Sequence, residues 1–450
     1  MEIIVKAAQL IVSFSILVLV HEFGHFIFAR LFKVRVEKFY LFFDAGFALF
    51  RHKPKNSETE YGIGWLPFGG YCKISGMIDE SMDVEQMKAE PKEWEFRTKP
   101  AWQRLLIMIG GVLFNFVLAL FIYAGVLAYW GEDYLANRDV KYGIVCDSVA
   151  MRMGFRNGDK VVAVNGIAPE SFLDIQKRMM LYREMNVTLQ RGDVTVNIEP
   201  DYYEYIAHMT SNRFIEPMPP FVIKSVPDSS VNRMSNLKPG DEIIGAEGVN
   251  GVKILSGNDN RIDEIRGVFA EHRNGDVTVT LKRNGDTLVV PLKVNGEGMI
   301  GVQLEADPKN LFVITEKRYG IFSALSAASG KAVTRLKDQL CELRMMVTPK
   351  TETYKQVGSI ISIGRIYSAQ WDWQRFWDIT ALLSIMLAVL NLLPIPALDG
   401  GHAMFLAFEM ITRRKLGDKF LTYAQVAGLA ILLTIMVYAV GNDVVRHIMR

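Results

Sequence analysis

Four stretches of this chain are apolar for long enough to cross a bilayer: about residues 3–32, 105–130, 376–393 and 420–440. A helix needs ~20 apolar residues to span the hydrocarbon core, and there it must satisfy every backbone polar group internally. A chain of 450 residues, 50% of them hydrophobic, is therefore expected to be built around about four membrane helices. The first stretch is not read as a secretory signal, because it lacks a basic start and an A-x-A-like exit and is too long. A formal net charge of +2 gives no sign of a nucleic-acid surface.

Basic residues set the orientation. Arg30, Lys33, Arg35 and Lys38 follow the first stretch, and Lys92, Arg97, Lys99 and Arg104 precede the second. Arg413, Arg414, Lys415 and Lys419 separate the third from the fourth, whereas Glu132 and Asp133 follow the second. By the positive-inside rule the loops after spans one and three are cytoplasmic. Both termini, and the region from about 131 to 375, then face the opposite side. Cys72, Cys146 and Cys341 have no paired spacing and are read as unbridged.

The region between spans two and three carries a repeat. "MGFRNGDKVVAVNG" (153–166) matches "SNLKPGDEIIGAEG" (235–248), with Gly158-Asp159 aligned to Gly240-Asp241. Each copy reads as a Gly-Asp turn, a β-branched strand and a second turn, followed by a helical stretch and two more strands. The pattern resembles PDZ domains of the permuted type found in bacterial proteases, over about 140–305. That resemblance implies either capture of an extended peptide on a sheet edge or a filter with no ligand; both readings stay open. From Tyr319 to Met346 the chain reads as an amphipathic helix, expected on the membrane surface or against the second repeat. "WDWQRFW" (371–377) reads as an aromatic belt at the mouth of span three.

The chemistry sits inside the apolar stretches. "HEFGH" (21–25) in span one is H-E-x-x-H, and ionisable groups at membrane depth are costly unless they work. Residues i and i+4 share a helix face, so His21 and His25 can converge on one zinc ion, with Glu22 beside them to hold the attacking water. A catalytic zinc takes three protein ligands and leaves one position open. The third is expected from "NLLPIPALDGGH" (391–402), where Pro394 and Pro396 break the helix and Asp399 follows. His402, three residues on, is the competing third ligand.

"HEFGH" with "NLLPIPALDGG" resembles the site-2 protease family of intramembrane zinc metalloproteases. The two inserted PDZ-like units are similar to those of its bacterial regulator-of-sigma-E protease group, and this similarity runs the length of the chain. It implies one zinc held by His21, His25 and Asp399, with Glu22 as catalytic acid and base. The pattern N-x-x-P-x-P-x-x-D-G, met by Asn391, Pro394, Pro396, Asp399 and Gly400, implies that Asn391 holds the substrate chain. "GGVLFN" matches the G-x-x-x-N of span two through Gly111 and Asn115, the latter read as a further substrate contact. The family also implies a re-entrant β-hairpin after span one, here "FYLFFDAGFALFRHK" and "TEYGIGWLPFGGYCKISG", with Gly69, Gly70 and Tyr71 on a free edge that pairs with unwound substrate. A hairpin on the cytoplasmic surface is the other reading.

The expected fold is thus a polytopic α-helical membrane protein with a re-entrant hairpin and two inserted PDZ-like α+β domains. Its expected parts are 1–130, 131–220, 221–310, 311–375 and 376–450. The expected place is a bacterial inner membrane, with the active site toward the cytoplasm and the repeats outside. The implied substrates are single-span membrane proteins trimmed by another protease, of the anti-sigma-factor kind, and remnant signal peptides. A client-presenting protein without turnover would not need Glu22. A metal transporter would want polar residues through several spans, and span four has almost none.

Overall fold

A computed structural model describes residues 2–77, 90–209, 214–248, 253–254 and 261–448. It divides into two compact units: Met1–Gly131 with Arg318–Val347 and Thr353–Arg450, and Glu132–Lys317 with Thr348–Glu352.

In chain order the first unit begins with helix α1 (Glu2–Leu31), strands β1 (Val36–His52) and β2 (Glu60–Ile74), and helix α2 (Ala101–Tyr129). The second unit then contributes β3 (Glu132–Leu135), β4 (Ile144–Cys146), α3 (Ser148–Arg152), β5 (Lys160–Val164), α4 (Phe172–Tyr182), β6 (Val187–Arg191), β7 (Val194–Ile198), α5 (Tyr202–Met209) and β8 (Ile215–Pro217). It continues with β9 (Phe221–Ser225), β10 (Glu242–Gly248), β11 (Lys253–Ile254), α6 (Arg261–Glu271), β12 (Asp276–Arg283), β13 (Asp286–Lys293), β14 (Gln303–Leu304), α7 (Pro308–Leu311) and β15 (Ile314–Lys317). The first unit resumes with α8 (Ile321–Met346), α9 (Ile360–Ile366), α10 (Trp373–Asn391), α11 (Asp399–Thr412) and α12 (Asp418–Ile448).

Four of these helices, α1, α2, α10 and α12, are long and apolar enough to cross a membrane. They coincide with the four expected stretches. On α1 the buried residues are Gln9, Ser13, Leu17, His21, Gly24, His25 and Ala29, a single stripe recurring every three or four residues. Along it Ser13 meets Thr380 of α10 at 3.0 Å and Leu17 packs with Tyr367, Phe376, Ile379 and Leu383, whereas from His21 to Ala29 the stripe lies on α2. The two backbones come close at Gly24 and Gly110: a Cβ on Gly24 would stand 2.3 Å from the Gly110 carbonyl oxygen. Without a hydrophobic drive between helices in lipid, such small-residue contacts are what hold spans together.

The amphipathic helix packs on two of the membrane-length helices. α8 buries Ala324, Ala328 and Ala332 against Ala119, Tyr123 and Leu127 of α2 and Ala381, Ile385 and Val389 of α10. Its three alanines sit one turn apart and form a smooth seam against the two spans. α12 is tied at its far end to α9, where the Asp443 carboxylate accepts from Ser359 N at 2.8 Å, Ser359 Oγ at 2.6 Å and Ser362 Oγ at 2.5 Å.

β1 and β2 form more than a simple hairpin. Residues 38–41 pair with 70–73 on one side and with 60–63 on the other, and residues 48–52 pair with 61–64. Each long strand bends, with Phe42 at φ 68° and Gly46 at φ 85° marking the turn in β1. The two strands thus make a four-stranded curl in the order 66–74, 36–43, 60–64, 48–52. Among the described residues the 66–74 segment has no second strand beside it.

In the second unit the two sequence repeats differ in their sheets and share the joint at the Gly-Asp turn. The first has β5–β6–β7 and a separate β4–β8 pair, with α4 and α5; the second has β13–β12–β10–β9–β14 with β11 on β10, covered by α6. In the first, Asp159 is buried, accepts Arg156 N at 2.8 Å, and is gripped by Arg191 at 2.8 Å through both Nε and Nη2. In the second, Asp241 accepts Lys238 N at 2.7 Å and is gripped by Arg283 at 2.6 Å through the same two nitrogens. The Gly-Asp turn is therefore a fixed joint in both copies. No disulfide joins Cys72, Cys146 and Cys341, and burial followed by the nearby Asp159 and Asp147 charges pushes the Cys146 thiol up to about 12, leaving it an inert core residue.

Candidate active site

The buried stripe of α1 brings His21 and His25 together, their rings edge to face with centroids 4.8 Å apart. Opposite them is the break between α10 and α11. Pro394 and Pro396 cannot donate a backbone hydrogen bond, so α10 stops at Asn391 and the chain loops back over the start of α11. Ala397 adopts φ 82° in this loop, and the fold leaves no room for side chains at the next two glycines. A Cβ on Gly400 would lie 2.3 Å from Leu393 O, and one on Gly401 2.5 Å from Ile395 O. The result is that Asp399 becomes the first residue of α11. Further along, Arg104 on α2 donates to Glu409 at 2.5 Å and pins α11 in place.

Three atoms converge here. His21 Nε2 and His25 Nε2 are 3.2 Å apart, and Asp399 Oδ2 lies 3.1 Å from the first and 3.4 Å from the second. A tetrahedral zinc with legs of about 2.0–2.1 Å has ligand–ligand edges of roughly 3.3 Å. The triangle therefore has the dimensions of three corners of such a site. His25 Nδ1 donates to the Ile107 carbonyl at 2.8 Å, which leaves the Nε2 lone pair of a neutral ring facing Asp399. The Asp399 Oδ2 atom is buried and accepts no hydrogen bond. A carboxylate oxygen with no donor, set against imidazole lone pairs, fits a cation at the centre. Among the described residues, His21, His25 and Asp399 are the group placed to hold a metal ion. His402 stands one turn further along α11 and lines a cavity of about 300 Å³ with Arg104 and Glu409.

The other expected residues fall around this centre. Glu22 follows His21, and the backbone N–H of Cys72 on β2 reaches its carboxylate. Asn391 Nδ2 lies 3.1 Å from His21 Nε2, at the mouth of the triad. Asn115 lies behind the triad, fully buried, with Nδ2 3.2 Å from His21 Nδ1. Gly111 is beneath both rings: a Cβ there would be 2.5 Å from His25 Nε2 and 2.6 Å from His21 Cε1. Tyr71 stacks between Tyr40 and Phe43 at centroid distances of 5.3 and 6.1 Å and donates its hydroxyl to Asp44 at 2.8 Å. Gly69 packs under the Phe43 ring and Gly70 against Val18 and the Tyr40 carbonyl. The Ile107 carbonyl, which fixes the His25 tautomer, was not foreseeable from residue type, because any residue supplies a carbonyl.

The sequence profile of peptidase family M50 matches residues 9–435. The chain belongs to peptidase family M50. The regulator of sigma-E protease RseP of Escherichia coli (strain K12) is 28% identical over 473 aligned residues, covering 98% of each chain. A protein of Xylella fastidiosa (strain Temecula1 / ATCC 700964), provisionally named a zinc metalloprotease, is 28% identical over 459, covering 96% of this chain and 97% of its own. As an M50 peptidase with four membrane-length apolar helices, the protein is a zinc metalloprotease of the membrane.

Proposed function

We propose that the protein cuts the membrane segments of single-span proteins whose outer domains have been trimmed, anti-sigma factors above all, and remnant signal peptides. The observation that carries this is the position of the triad: two ligands on α1, a membrane-length helix, and the third at the break between apolar helices, with the 66–74 strand, which has no second strand beside it among the described residues, packed against α1. One zinc would be held by His21, His25 and Asp399. When bound, it supplies a Lewis acid that brings the pKa of water toward neutrality.

The chain's own groups do the rest. Glu22 takes the proton of the attacking water and returns it to the leaving amine. Asn391, beside the triad, donates to the oxyanion that develops on the scissile carbonyl. A helical substrate hides its carbonyls, so it unwinds and adds as a strand along 66–74, where backbone pairing replaces the lost helical hydrogen bonds. The basic residues flanking the spans support an inner-membrane protein with this site toward the cytoplasm and the repeats outside.

The repeats are read as PDZ-like. A groove of about 370 Å³ between β8 and α4, lined by Leu135, Phe172, Leu173, Phe214 and Ile215, favours ligand binding by the first of them. Gln176 already donates to the Ile215 carbonyl at 2.8 Å, so a ligand there uses side-chain pockets more than strand pairing.

The test is Glu22→Gln in detergent-purified full-length protein, with cleavage of a membrane-embedded client, zinc content and client co-purification read on one sample. Zinc and client should stay bound while the rate falls by at least the ~10²–10⁴ that a general base supplies. Near-normal cleavage would remove Glu22 from its role. A wild type that binds clients and never cuts them would favour presentation over proteolysis.

A further inference from the structure

Asn115 raises a question that its place in the site leaves open. It is 0% exposed, so no substrate chain touches it. Its backbone carbonyl accepts from Ser384 Oγ at 2.7 Å, which ties α2 to α10 at this level. Its side-chain oxygen, buried, has no hydrogen-bond partner, while its nitrogen faces His21 Nδ1 at 3.2 Å. A His21 that gives its Nε2 lone pair to a metal keeps its proton on Nδ1. Nδ1–H is then a donor, and the group opposite it must accept. The two ends of an amide exchange by a half turn, and the hydrogen-bond partners decide between them. The turn sets Asn115 Oδ1 against Nδ1–H and gives the oxygen the partner it lacks.

We propose that Asn115 is a positioning residue for the metal site: its amide oxygen holds His21 in the Nδ1–H tautomer and so keeps Nε2 free to ligate. Ile107, Gly111 and Asn115 stand one turn apart on a single stripe of α2. The first supplies a carbonyl to His25 Nδ1, the second is the bare backbone on which both rings rest, and the third supplies an amide to His21 Nδ1. Each histidine thus has one acceptor from the same helix face, and the G-x-x-x-N spacing is the spacing of ring support and ring acceptor. Partners behind a ligating histidine are worth roughly 10–100-fold in metal affinity.

This inference rests on the zinc-site reading above, and the experiment separates the two. Zinc affinity of full-length protein in detergent is measured by competition with a chelator of known affinity, for wild type, Asn115→Leu, Asn115→Ala, Asn115→Asp and Asp399→Ala. Leu and Ala have no acceptor and should bind zinc roughly 10–100-fold more weakly. Asp accepts but cannot donate, and should match or exceed the wild type. Capture of a client by zinc-stripped protein should be unchanged in all three Asn115 variants. Asn115→Ala guards against a Leu variant that fails to fold. Wild-type affinity in Leu or Ala, or a loss in Asp as large as in Ala, overturns the proposal. Loss of client capture by the zinc-stripped variants returns Asn115 to the substrate path. Full zinc in Asp399→Ala overturns the metal site itself.

Discussion

Two carboxylate arrangements among the described residues differ in what faces them. Asp159 and Asp241, in the inserted repeats, meet only donors: a guanidinium through two nitrogens and a backbone N–H each. Asp399, between the apolar helices, meets imidazole nitrogens at 3.1 and 3.4 Å and has a buried oxygen with no donor at all. In the first arrangement the hydrogen bonds of the carboxylate are satisfied and its charge is paired, which offsets the cost of burying it. The second is stable only with a positive centre among its members. The same residue type is thus a joint in one place and a candidate ligand in the other, and the partners decide which.

The sharpest break of this comparison is a pair of isosteric changes. Asp399→Asn should lose zinc and with it turnover, by more than about 10²-fold, because an amide oxygen is a far poorer zinc ligand than a carboxylate. Its fold should stay intact. Asp241→Asn should do the reverse: zinc and turnover retained, with a loosened second repeat, since Arg283 is left against a group that can no longer pair with its charge. Metal content, cleavage and hydrogen exchange on the two proteins read all of this. Zinc retained at full occupancy by Asp399→Asn would erase the distinction.

How far each kind could be read beforehand follows from how local its partners are. His21 and His25 are four residues apart, so helix geometry alone puts them on one face. The two Gly-Asp turns share an offset of 82 residues, from 159 to 241, and stand out for that reason. Their arginines, Arg191 and Arg283, are 92 apart, so a search at one offset passes over them, and a pairing across strands leaves no local spacing to find. The bent strands β1 and β2 read as one hairpin because nothing in an alternating pattern reveals that a strand pairs on both sides. For α8 a signal existed in Ala324, Ala328 and Ala332, a small-residue seam obscured by the charged residues of the other face. PDZ-like identity and membrane orientation rest on pattern and charge, which fix neither a groove's occupant nor a bilayer's place.

A second, smaller break uses two glycines of α2. Gly111→Ala puts a methyl within 2.6 Å of both ligand rings, so the rings must shift. A displacement of ~1 Å in a catalytic constellation can cost ~10²-fold, so a turnover loss of roughly 10- to 100-fold with weakened zinc is expected. Gly125→Ala, on the same helix with nothing within 4 Å of its new Cβ, should leave both unchanged. Its helix should gain a little, since alanine is the better helix former by roughly 0.5–1 kcal/mol. Equal behaviour of the two variants in the zinc assay would mean that the rings do not rest on Gly111.

The smallest expected effect is a pH dependence confined to the structural carboxylate. Burial alone would push the Asp241 carboxyl up, but the Arg283 hydrogen bonds, the Lys238 N–H and the Arg283 charge together hold it below the ordinary carboxylate range. A carboxyl whose folded value is lowered binds fewer protons folded than unfolded, so its contribution to stability is complete above its unfolded value of about 3.9. It drains away as pH falls below that value toward the folded one. Hydrogen exchange in β10 and β12 of the full-length protein, corrected for the intrinsic rate, should therefore lose protection on acidification below about pH 4. In Asp241→Asn the same amides should start less protected at neutral pH and show no such step, because the titrating group is gone. A wild type whose β10 and β12 protection does not change across that range, or a variant that keeps the step, would show that the Arg283 grip on Asp241 is not what holds the second repeat together.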